Sequence, residues 1–230
     1  RQLQMLAARN DRLKELGEMA ALVAHEIRNP LGGIKGFASL LRRDVSDKPQ
    51  LAKMADYIIQ GTDTLNRLVT DILNYARPMN PQFEKTDMRA MMGEMKEIFE
   101  ADPSLRKGID FVVEVPNEKV YAAVDATLLK SALLNLLVNA RHAIAEKGIL
   151  TLGLQTKGRD ILIRVTDTGT GISDEDLPKL FTPFFTTKKE GSGFGLVEVH
   201  KVIEAHSGVI DLETKMGKGT TFTIKFPMNL

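Results

Sequence analysis

The chain has 230 residues, of which 43% are hydrophobic and 27% charged, and its formal net charge is +1. This composition is ordinary for a soluble globular protein, and the length allows one large domain or two small ones. The balance of charges argues for neither a nucleic acid nor a membrane surface as a partner. Because the chain has no cysteine, disulfides, cysteine–zinc sites and thiol nucleophiles are excluded.

The sequence carries no sign of membrane insertion or secretion. No apolar run approaches the roughly 18 residues required to span a bilayer, and no signal peptide is recognisable. The chain starts at Arg1 within a helical pattern, so we expect it to be a piece of a longer protein, with room for a membrane anchor upstream. We expect this part to make no membrane contact.

The first 29 residues follow a heptad pattern of apolar positions. The two seam positions are filled by Leu3, Asn10, Gly17 and Ala24 and by Leu6, Leu13, Ala20 and Ile27. Such a seam predicts a coiled coil, in which a lone Asn can fix the register and the oligomeric state. We assign residues 1–20 to a coiled-coil signalling helix.

A helical hairpin follows the coiled coil. The apolar pattern continues past Pro30 to Leu41, a turn is predicted over residues 44–50, and a second amphipathic helix runs from about residue 51 to residue 76. Two long helices joined by a short loop form an antiparallel hairpin whose apolar stripe lacks a cover. A second copy that closes a four-helix bundle is the natural solution. We assign residues 21–78 to this dimerisation domain.

The character of the sequence changes at RPMNP, residues 77–81, where two prolines end the helical pattern. Strands are predicted near residues 82–86, 109–115, 149–155, 161–166, 208–214 and 220–226, and helices near residues 88–101, 126–146 and 194–206. The last two strands flank KMGKG and predict a hairpin. We assign residues 79–230 to a compact α+β domain.

Four short motifs in this domain each have a plain and a functional interpretation. NLLVNARHA places Asn135 and Asn139 on one helix face, which is either an ordinary polar face or part of a site. DTGTGI, residues 167–172, follows a strand and could be only a turn. GSGFGL, residues 191–196, leads into a helix and suits phosphate binding, although it matches neither the dinucleotide nor the Walker fingerprint. Between the last two, FTPFF either anchors a lid or belongs to the core.

The order NLLVNA, DTGTGI, FTPFF and GSGFGL resembles the N, G1, F and G2 boxes of sensor histidine kinases. Their ATP-binding domain, an α/β sandwich, is shared with type II topoisomerases and mismatch-repair ATPases. The resemblance implies ATP and Mg²⁺ as cofactors. It makes Asn139 the residue that coordinates Mg²⁺ bridging the ATP phosphates, with Asn135 beside it. Asp167 would accept a hydrogen bond from the adenine amino group.

The resemblance also assigns the other nucleotide-binding residues. The glycines of the G1 box would let the backbone approach the nucleotide, and those of the G2 box would hinge a lid and admit the triphosphate. The remaining members of the set are His142, Gly169, Gly171, Lys188, Gly191, Gly193, Gly195 and Leu196. Arg141 and His142 together stand where the family often has a basic or aromatic pair, and which of them reaches phosphate stays open.

The segment HEIRNPL, residues 25–31, resembles the phosphoacceptor box of the same family. The heptad seam leaves His25 and Asn29 outside it, and their spacing places them on one outward face. An imidazole is a largely neutral nucleophile at neutral pH, because its ordinary pKa is about 6.5. Glu26 is the candidate general base. The resemblance implies that Asn29 orients water in a phosphatase reaction, and Pro30 should bend the helix.

These observations predict the catalytic core of a dimeric sensor histidine kinase. ATP would phosphorylate His25, and the phosphoryl group would pass to an aspartate of a response regulator receiver domain, with phosphatase activity towards that regulator. The alternative is a nucleotide-binding dimeric signalling module whose main output is phosphatase or scaffolding. We expect a cytoplasmic protein, or the cytoplasmic part of a membrane-anchored receptor. Metal binding at His25 is disfavoured, and His200 and His206 are interpreted as structural.

Overall fold

The computed structural model describes residues 24–77, 79–188 and 191–229. The predicted coiled coil of residues 1–20 lies outside this part of the chain. The chain divides into two compact units. The first consists of Arg1–Pro78 with the segment Thr186–Phe194, and the second of Met79–Phe185 with Gly195–Leu230.

The first unit contains the helical hairpin. Helix α1 covers residues 24–44 and helix α2 covers Pro49–Ala76, with a short turn between them. Proline lies in the first turn of α2, where its missing N–H has no intrahelical partner to lose. Arg77 takes extended backbone (φ −68°, ψ 135°) and ends the helix.

Three polar side-chain pairs link the two helices of the hairpin. They are Lys35 Nζ with Asp63 Oδ1 at 2.6 Å, Arg42 Nε with Asp56 Oδ1 at 2.9 Å, and Arg28 Nη2 with Thr70 Oγ1 at 2.9 Å. Arg28, although exposed, thus contacts the second helix through its guanidinium. Such exposed pairs add little stability, but their common spacing fixes one antiparallel register.

The second unit contains a five-stranded and a two-stranded sheet with helices. Its elements are β1 (Glu84–Asp87), α3 (Met88–Ala101), α4 (Pro103–Arg106), β2 (Ile109–Glu114), β3 (Tyr121–Val124), α5 (Ala126–Ala143), β4 (Gly148–Lys157), β5 (Asp160–Asp167), a 3₁₀ turn (Leu177–Lys179), α6 (Gly195–Ala205), β6 (Val209–Lys215) and β7 (Gly219–Pro227). The larger sheet has the strand order β2-β4-β5-β7-β6, and β1 pairs with β3. Only the β2–β4 pair of the larger sheet is parallel.

The core of the second unit lies between one face of the larger sheet and its helices. Alternate residues of the three central strands are buried there: Leu150, Leu152, Leu154, Ile161, Ile163, Val165, Phe222, Ile224 and Phe226. They form one cluster with buried side chains of α3, α5 and α6. This arrangement confirms the predicted helical hairpin followed by an α/β sandwich.

The elements differ from the prediction in three details. The sequence pattern does not indicate β3 or α4, because four residues are too few for a period to be recognised. Helix α5 ends at Ala143 instead of residue 146, because Ile144 takes extended backbone (φ −89°, ψ 115°). Strand β1 begins two residues late, since Gln82 N donates to Asp125 Oδ2 at 2.8 Å.

Candidate functional site

Helix α5 carries two of the predicted nucleotide ligands. Asp125 caps its N-terminus by accepting a hydrogen bond from Leu128 N at 3.0 Å. Its apolar side is buried in the core, through Leu129, Ala132, Leu133, Leu136, Leu137 and Ala140. Asn135, Asn139 and His142 follow each other at spacings of four and three and so share a different face. Both asparagines are half-buried and His142 is exposed.

The loop after β5 meets the C-terminal end of α5. Thr170 N donates to the carbonyl oxygen of Ala143 at 3.0 Å. A side chain at Gly169 would place its Cβ only 2.5 Å from that same oxygen. Gly171 has φ +73°, and a Cβ there would overlap the Lys215 carbonyl. The G1 glycines are thus required by close backbone packing, which brings this loop to α5.

Asp167 lies at the end of β5, at the base of that loop. It is only 4% exposed, and its Oδ1 accepts a hydrogen bond from Gly169 N at 2.8 Å. Burial raises the pKa of the Asp167 carboxyl, against the opposing effect of the Gly169 and Thr220 N–H groups. A carboxylate held in a buried position by backbone donors is a suitable acceptor for a ligand amino group.

The start of α6 lies beside both asparagines. A Cβ at Gly195 would be 3.7 Å from Asn135 Oδ1 and 4.0 Å from Asn139 Nδ2. Asn135 Nδ2 also donates to Glu198 Oε2 at 3.3 Å. Free N–H groups at a helix start favour an anion such as phosphate. The G1 loop and the start of α6, both distant from α5 in sequence, therefore lie against it, at its end and at its middle.

The other predicted residues lie in different places. Lys188, Gly191 and Gly193 belong to the segment Thr186–Phe194 of the first unit. Burial lowers the pKa of the Lys188 ammonium. Leu196 is partly buried on α6 and packs against the core of the second unit.

The phosphoacceptor box lies on α1. His25, Glu26 and Asn29 are all exposed. Ala24, which precedes the histidine, is buried at 3% exposure. Every residue from His25 to Pro30 is exposed, including Ile27 of the predicted seam, so the outward direction of His25 and Asn29 stays a prediction. An accessible imidazole beside a carboxylate-bearing residue can act as a nucleophile towards a second bound molecule.

Two further residues contact α5 without belonging to any motif, one at the site and one at the start of the helix. One is Glu198, which contacts Asn135. The other is His206, 2% exposed, whose Nε2 accepts a hydrogen bond from Asp125 N at 3.0 Å while its Nδ1 lies 2.7 Å from the Val202 carbonyl oxygen. His206 is structural, as expected, but it joins the start of α5 to the end of α6. An Asp before a helical pattern is a capping signal that indicates Asp125; no spacing rule indicates His206.

The described residues contain no group of three or more histidine or acidic side chains arranged to hold a metal ion. Asparagine oxygens are hard ligands of the kind that Mg²⁺ accepts when substrate phosphates supply the other positions. No helix in the described ranges is both long enough and apolar enough to cross a membrane.

Two known protein families match this chain, one over the hairpin and the other over most of the second unit. Residues 15–81 match HisKA, the His Kinase A (phospho-acceptor) domain. Residues 124–230 match HATPase_c, the Histidine kinase-, DNA gyrase B-, and HSP90-like ATPase. The chain belongs to the sensor histidine kinase family. The two matches assign the hairpin of this histidine kinase to the phosphoacceptor family and its sheet to the ATPase family.

Relatives of this histidine kinase match along its whole length. It is 36% identical over 231 residues to the sensor histidine kinase ZraS of Klebsiella oxytoca, a match that covers 100% of this chain and 50% of ZraS. It is 34% identical over 230 residues to the signal transduction histidine-protein kinase AtoS of Escherichia coli (strain K12), covering 100% of this chain and 38% of AtoS. The chain thus spans half or less of these two curated relatives.

Solved structures resemble this histidine kinase as well. ThkA in complex with the response regulator protein TrrA superposes with a TM-score of 0.72 at 31% identity, covering 99% of this chain and 66% of ThkA. Full-length ShkA in complex with AMPPNP gives a TM-score of 0.73 at 25% identity, covering 92% of this chain and 46% of ShkA. The fold is therefore that of solved histidine kinases.

Proposed function

We propose that this chain is the catalytic core of a homodimeric sensor kinase that uses ATP to phosphorylate His25. The observation that carries the proposal is the meeting of three nucleotide motifs around α5: Asn135 and Asn139 beside Gly195, and Gly169 against the Ala143 carbonyl. The exposed imidazole of His25 supplies the acceptor. We place this core in the cytoplasm, where ATP is available.

The residues of the second unit would bind and orient ATP. Asp167 would accept a hydrogen bond from the adenine amino group, and the start of α6 at Gly195 and Leu196 would face the phosphates. Asn139, with Asn135 beside it, would hold Mg²⁺, which neutralises charge on the phosphates. His142 shares the face of the asparagines and so is better placed than Arg141, which donates to the Ile144 carbonyl at 3.0 Å. Gly169 and Gly171 would let backbone approach the base.

The chemical step is an in-line displacement at the γ-phosphorus. An unprotonated ring nitrogen of His25 forms the new P–N bond as the bond to the ADP oxygen breaks, and Glu26 takes the imidazole proton. Positioning and charge neutralisation supply most of the rate. The lid residues Lys188, Gly191 and Gly193 would close over the triphosphate. The phosphoryl group would then pass to a response regulator aspartate.

The experiment that tests this proposal is incubation of the protein with ATP labelled in the γ-phosphate. The wild type should acquire a label that acid removes and base does not. The His25→Ala variant should lose it, whereas His200→Ala, which removes another exposed histidine, should keep it. A label that persists in His25→Ala would overturn the assignment.

The dimer is proposed from the hairpin. Its helices expose large apolar side chains, including Ile34 at 48% and Leu41 at 50%, and both fall on the heptad seam. A second copy would cover them in a four-helix bundle. Sedimentation should give a dimer, and monomeric wild type at micromolar concentration would contradict this part of the proposal.

A second candidate output is dephosphorylation of the regulator, favoured by the position of Asn29. It lies one helical turn from His25, and both are exposed. Its amide would orient water against a phosphoaspartate. An Asn29→Ala variant should retain the His25 label and lose the phosphatase reaction. If that variant dephosphorylates the regulator at the wild-type rate, the phosphatase role is wrong. A chain that binds ATP without labelling would instead favour a scaffolding module.

A further inference from the structure

Glu198 is an acidic residue on a helix that is otherwise largely apolar near its start. It lies in the first turn of α6 between Val197 and Val199, which are 5% and 0% exposed. A half-buried carboxylate there requires polar partners. Asn135 Nδ2 is one, at 3.3 Å from Glu198 Oε2, and the Lys201 ammonium is an electrostatic partner. The position in the first helical turn also favours a negative charge.

The chemistry of this pair dictates how the Asn135 carboxamide is turned. An ionised carboxylate only accepts hydrogen bonds, whereas a carboxamide has one donating and one accepting end. The Asn135 amino group must therefore face Glu198, which turns Oδ1 away from the carboxylate. Oδ1 lies 3.7 Å from the position that a Cβ of Gly195 would occupy. The accepting end of the amide is thus directed towards the G2 glycine.

The direction of Oδ1 matters for a cation at this place. An oxygen facing the G2 glycine can bind Mg²⁺ or one of its water molecules, whereas a reversed amide would present its amino group to the cation. Without Glu198, little would hold the amide in the productive orientation. Residues that hydrogen-bond to a metal-binding side chain commonly fix its orientation in this way.

We infer that Glu198 is a positioning residue of the nucleotide site, and that it acts by orienting the Asn135 carboxamide towards the cation that accompanies ATP. The inference rests on the proposed function, since it requires ATP and Mg²⁺ at α5. It adds a residue that the motif resemblance does not include. This polar contact would join two elements, α5 and α6, at the site.

The test compares Glu198→Val, Glu198→Gln and the control Glu204→Val in the full chain. Glu204 is exposed on the same helix and also interacts with Lys201, so its substitution matches the loss of charge. The readout is the dissociation constant of a fluorescent ADP analogue, measured with Mg²⁺ and with EDTA. Thermal unfolding followed by circular dichroism reports whether each variant is folded.

Glu198→Val should weaken binding in Mg²⁺ about tenfold, as expected for losing a hydrogen bond to a charged partner, and leave binding in EDTA within about twofold. Glu198→Gln keeps an accepting oxygen but can also donate to Asn135 Oδ1, so it should lose part of the affinity that Glu198→Val loses in Mg²⁺. Glu204→Val should stay near the wild type. In an Asn135→Ala background, Glu198→Val should add no further loss.

Different outcomes separate the inference from the proposed function. If the wild type binds no nucleotide in Mg²⁺ or EDTA, the proposed function fails. If the wild type binds and Glu198→Val loses affinity equally in Mg²⁺ and EDTA, or not at all, only the positioning role is overturned. If Glu204→Val falls together with Glu198→Val, the effect is one of charge on α6 and the orienting role is likewise overturned.

Discussion

The two units of the chain differ in how completely each buries its own apolar side chains. In the hairpin, Phe37 is 77% exposed and Met54 is 62% exposed, whereas Phe99 and Phe226 in the second unit are 0% and 1% exposed. Contiguous exposed apolar surface on a soluble protein marks a place where another surface binds. The second unit therefore completes its own core, whereas the hairpin leaves large apolar side chains exposed, which supports the proposed dimer.

Glycines of the hairpin and glycines near the candidate site differ in the space around them. A Cβ at Gly32, Gly33 or Gly36 of α1 would meet nothing within 4 Å. By contrast, a Cβ at Gly169 or Gly219 would overlap a backbone carbonyl. Glycine loosens the helix in the hairpin, while at Gly169 and Gly219 it permits the close packing that builds the site. The same residue type thus has opposite structural roles at these two places.

The largest difference should appear when one isoleucine is truncated in each unit. Ile163 is 0% exposed in β5, and Ile34 is 48% exposed in α1. Ile163→Ala should lower the free energy of unfolding of the second unit by about 2 to 5 kcal/mol, because it leaves a cavity. Ile34→Ala should leave that unit unchanged and weaken dimerisation. Hydrogen exchange of second-unit peptides and sedimentation separate the two effects.

Equal effects of these two variants on exchange in the second unit would contradict the comparison. So would an Ile34→Ala dimer as tight as the wild type. The first result would mean that the second unit does not depend on burial of Ile163 in its own core, and the second that Ile34 does not contribute to a dimer interface.

A glycine substitution in the sheet should have the next largest effect. Gly219 has φ +113°, and an added Cβ would overlap the Asp167 carbonyl. Gly219→Ala should destabilise the second unit by about 1 to 3 kcal/mol and displace Asp167, so ADP affinity should fall as well. Gly153→Ala is the control, since its Cβ would lie 3.8 Å from Arg164 Cβ in ordinary contact. Unchanged stability in Gly219→Ala, measured by urea unfolding, would show that this close packing is dispensable.

A smaller effect should come from the buried carboxyl of Asp167. Burial raises its pKa above the ordinary 3.8, so the native state holds the proton more tightly than the unfolded state does. The contribution of this carboxyl to the free energy of unfolding should therefore decrease as pH rises from about 3.8 through the raised native pKa, and stay level above it. The Asp167→Asn variant has no titrating group at this position and should not show this decrease.

Urea unfolding at a series of pH values checks the Asp167 prediction. The stability of Asp167→Asn minus that of the wild type should increase with pH across the window. A difference that decreases or stays constant would show that burial does not dominate at this carboxyl.

The smallest effect should come from Gly33 in α1. Since its Cβ would meet open space, Gly33→Ala should stabilise the hairpin by about 0.5 to 1 kcal/mol through the higher helix propensity of alanine. Thermal unfolding followed by circular dichroism measures the change, with the second unit as the internal reference. Destabilisation would indicate that a further surface packs closely on this face of α1.

Most of the architecture could be predicted from the sequence because its signals are long and periodic. The apolar spacing of α2 and the alternation in β4, β5 and β7 recur over enough residues to indicate each element. The four-residue β3 and α4 are too short for a period, and their structure depends on tertiary pairing such as β1 with β3. The end of α5 depends on the extended backbone of Ile144, which no propensity indicates.

The candidate site was predictable as a set of residues but not as an arrangement. Motif order indicated Asn135, Asn139 and Asp167 without indicating which residues hold them. Glu198 and His206 lie outside every motif, because their partners Asn135 and Asp125 are 63 and 81 residues away. Contacts across such separations follow from the packing of α5 against α6 and leave no trace in local spacing.

The sequence by itself determined the order of the longer elements and the residue types that suit a phosphoryl-transfer site. These follow from periodicity and side-chain chemistry, which act locally. Only the tertiary structure decided that the G1 loop lies against the end of α5, that Asp167 is buried, and that a carboxylate turns the Asn135 amide. Each of these depends on burial and on distances between residues far apart in the chain, which only packing around a common core can set.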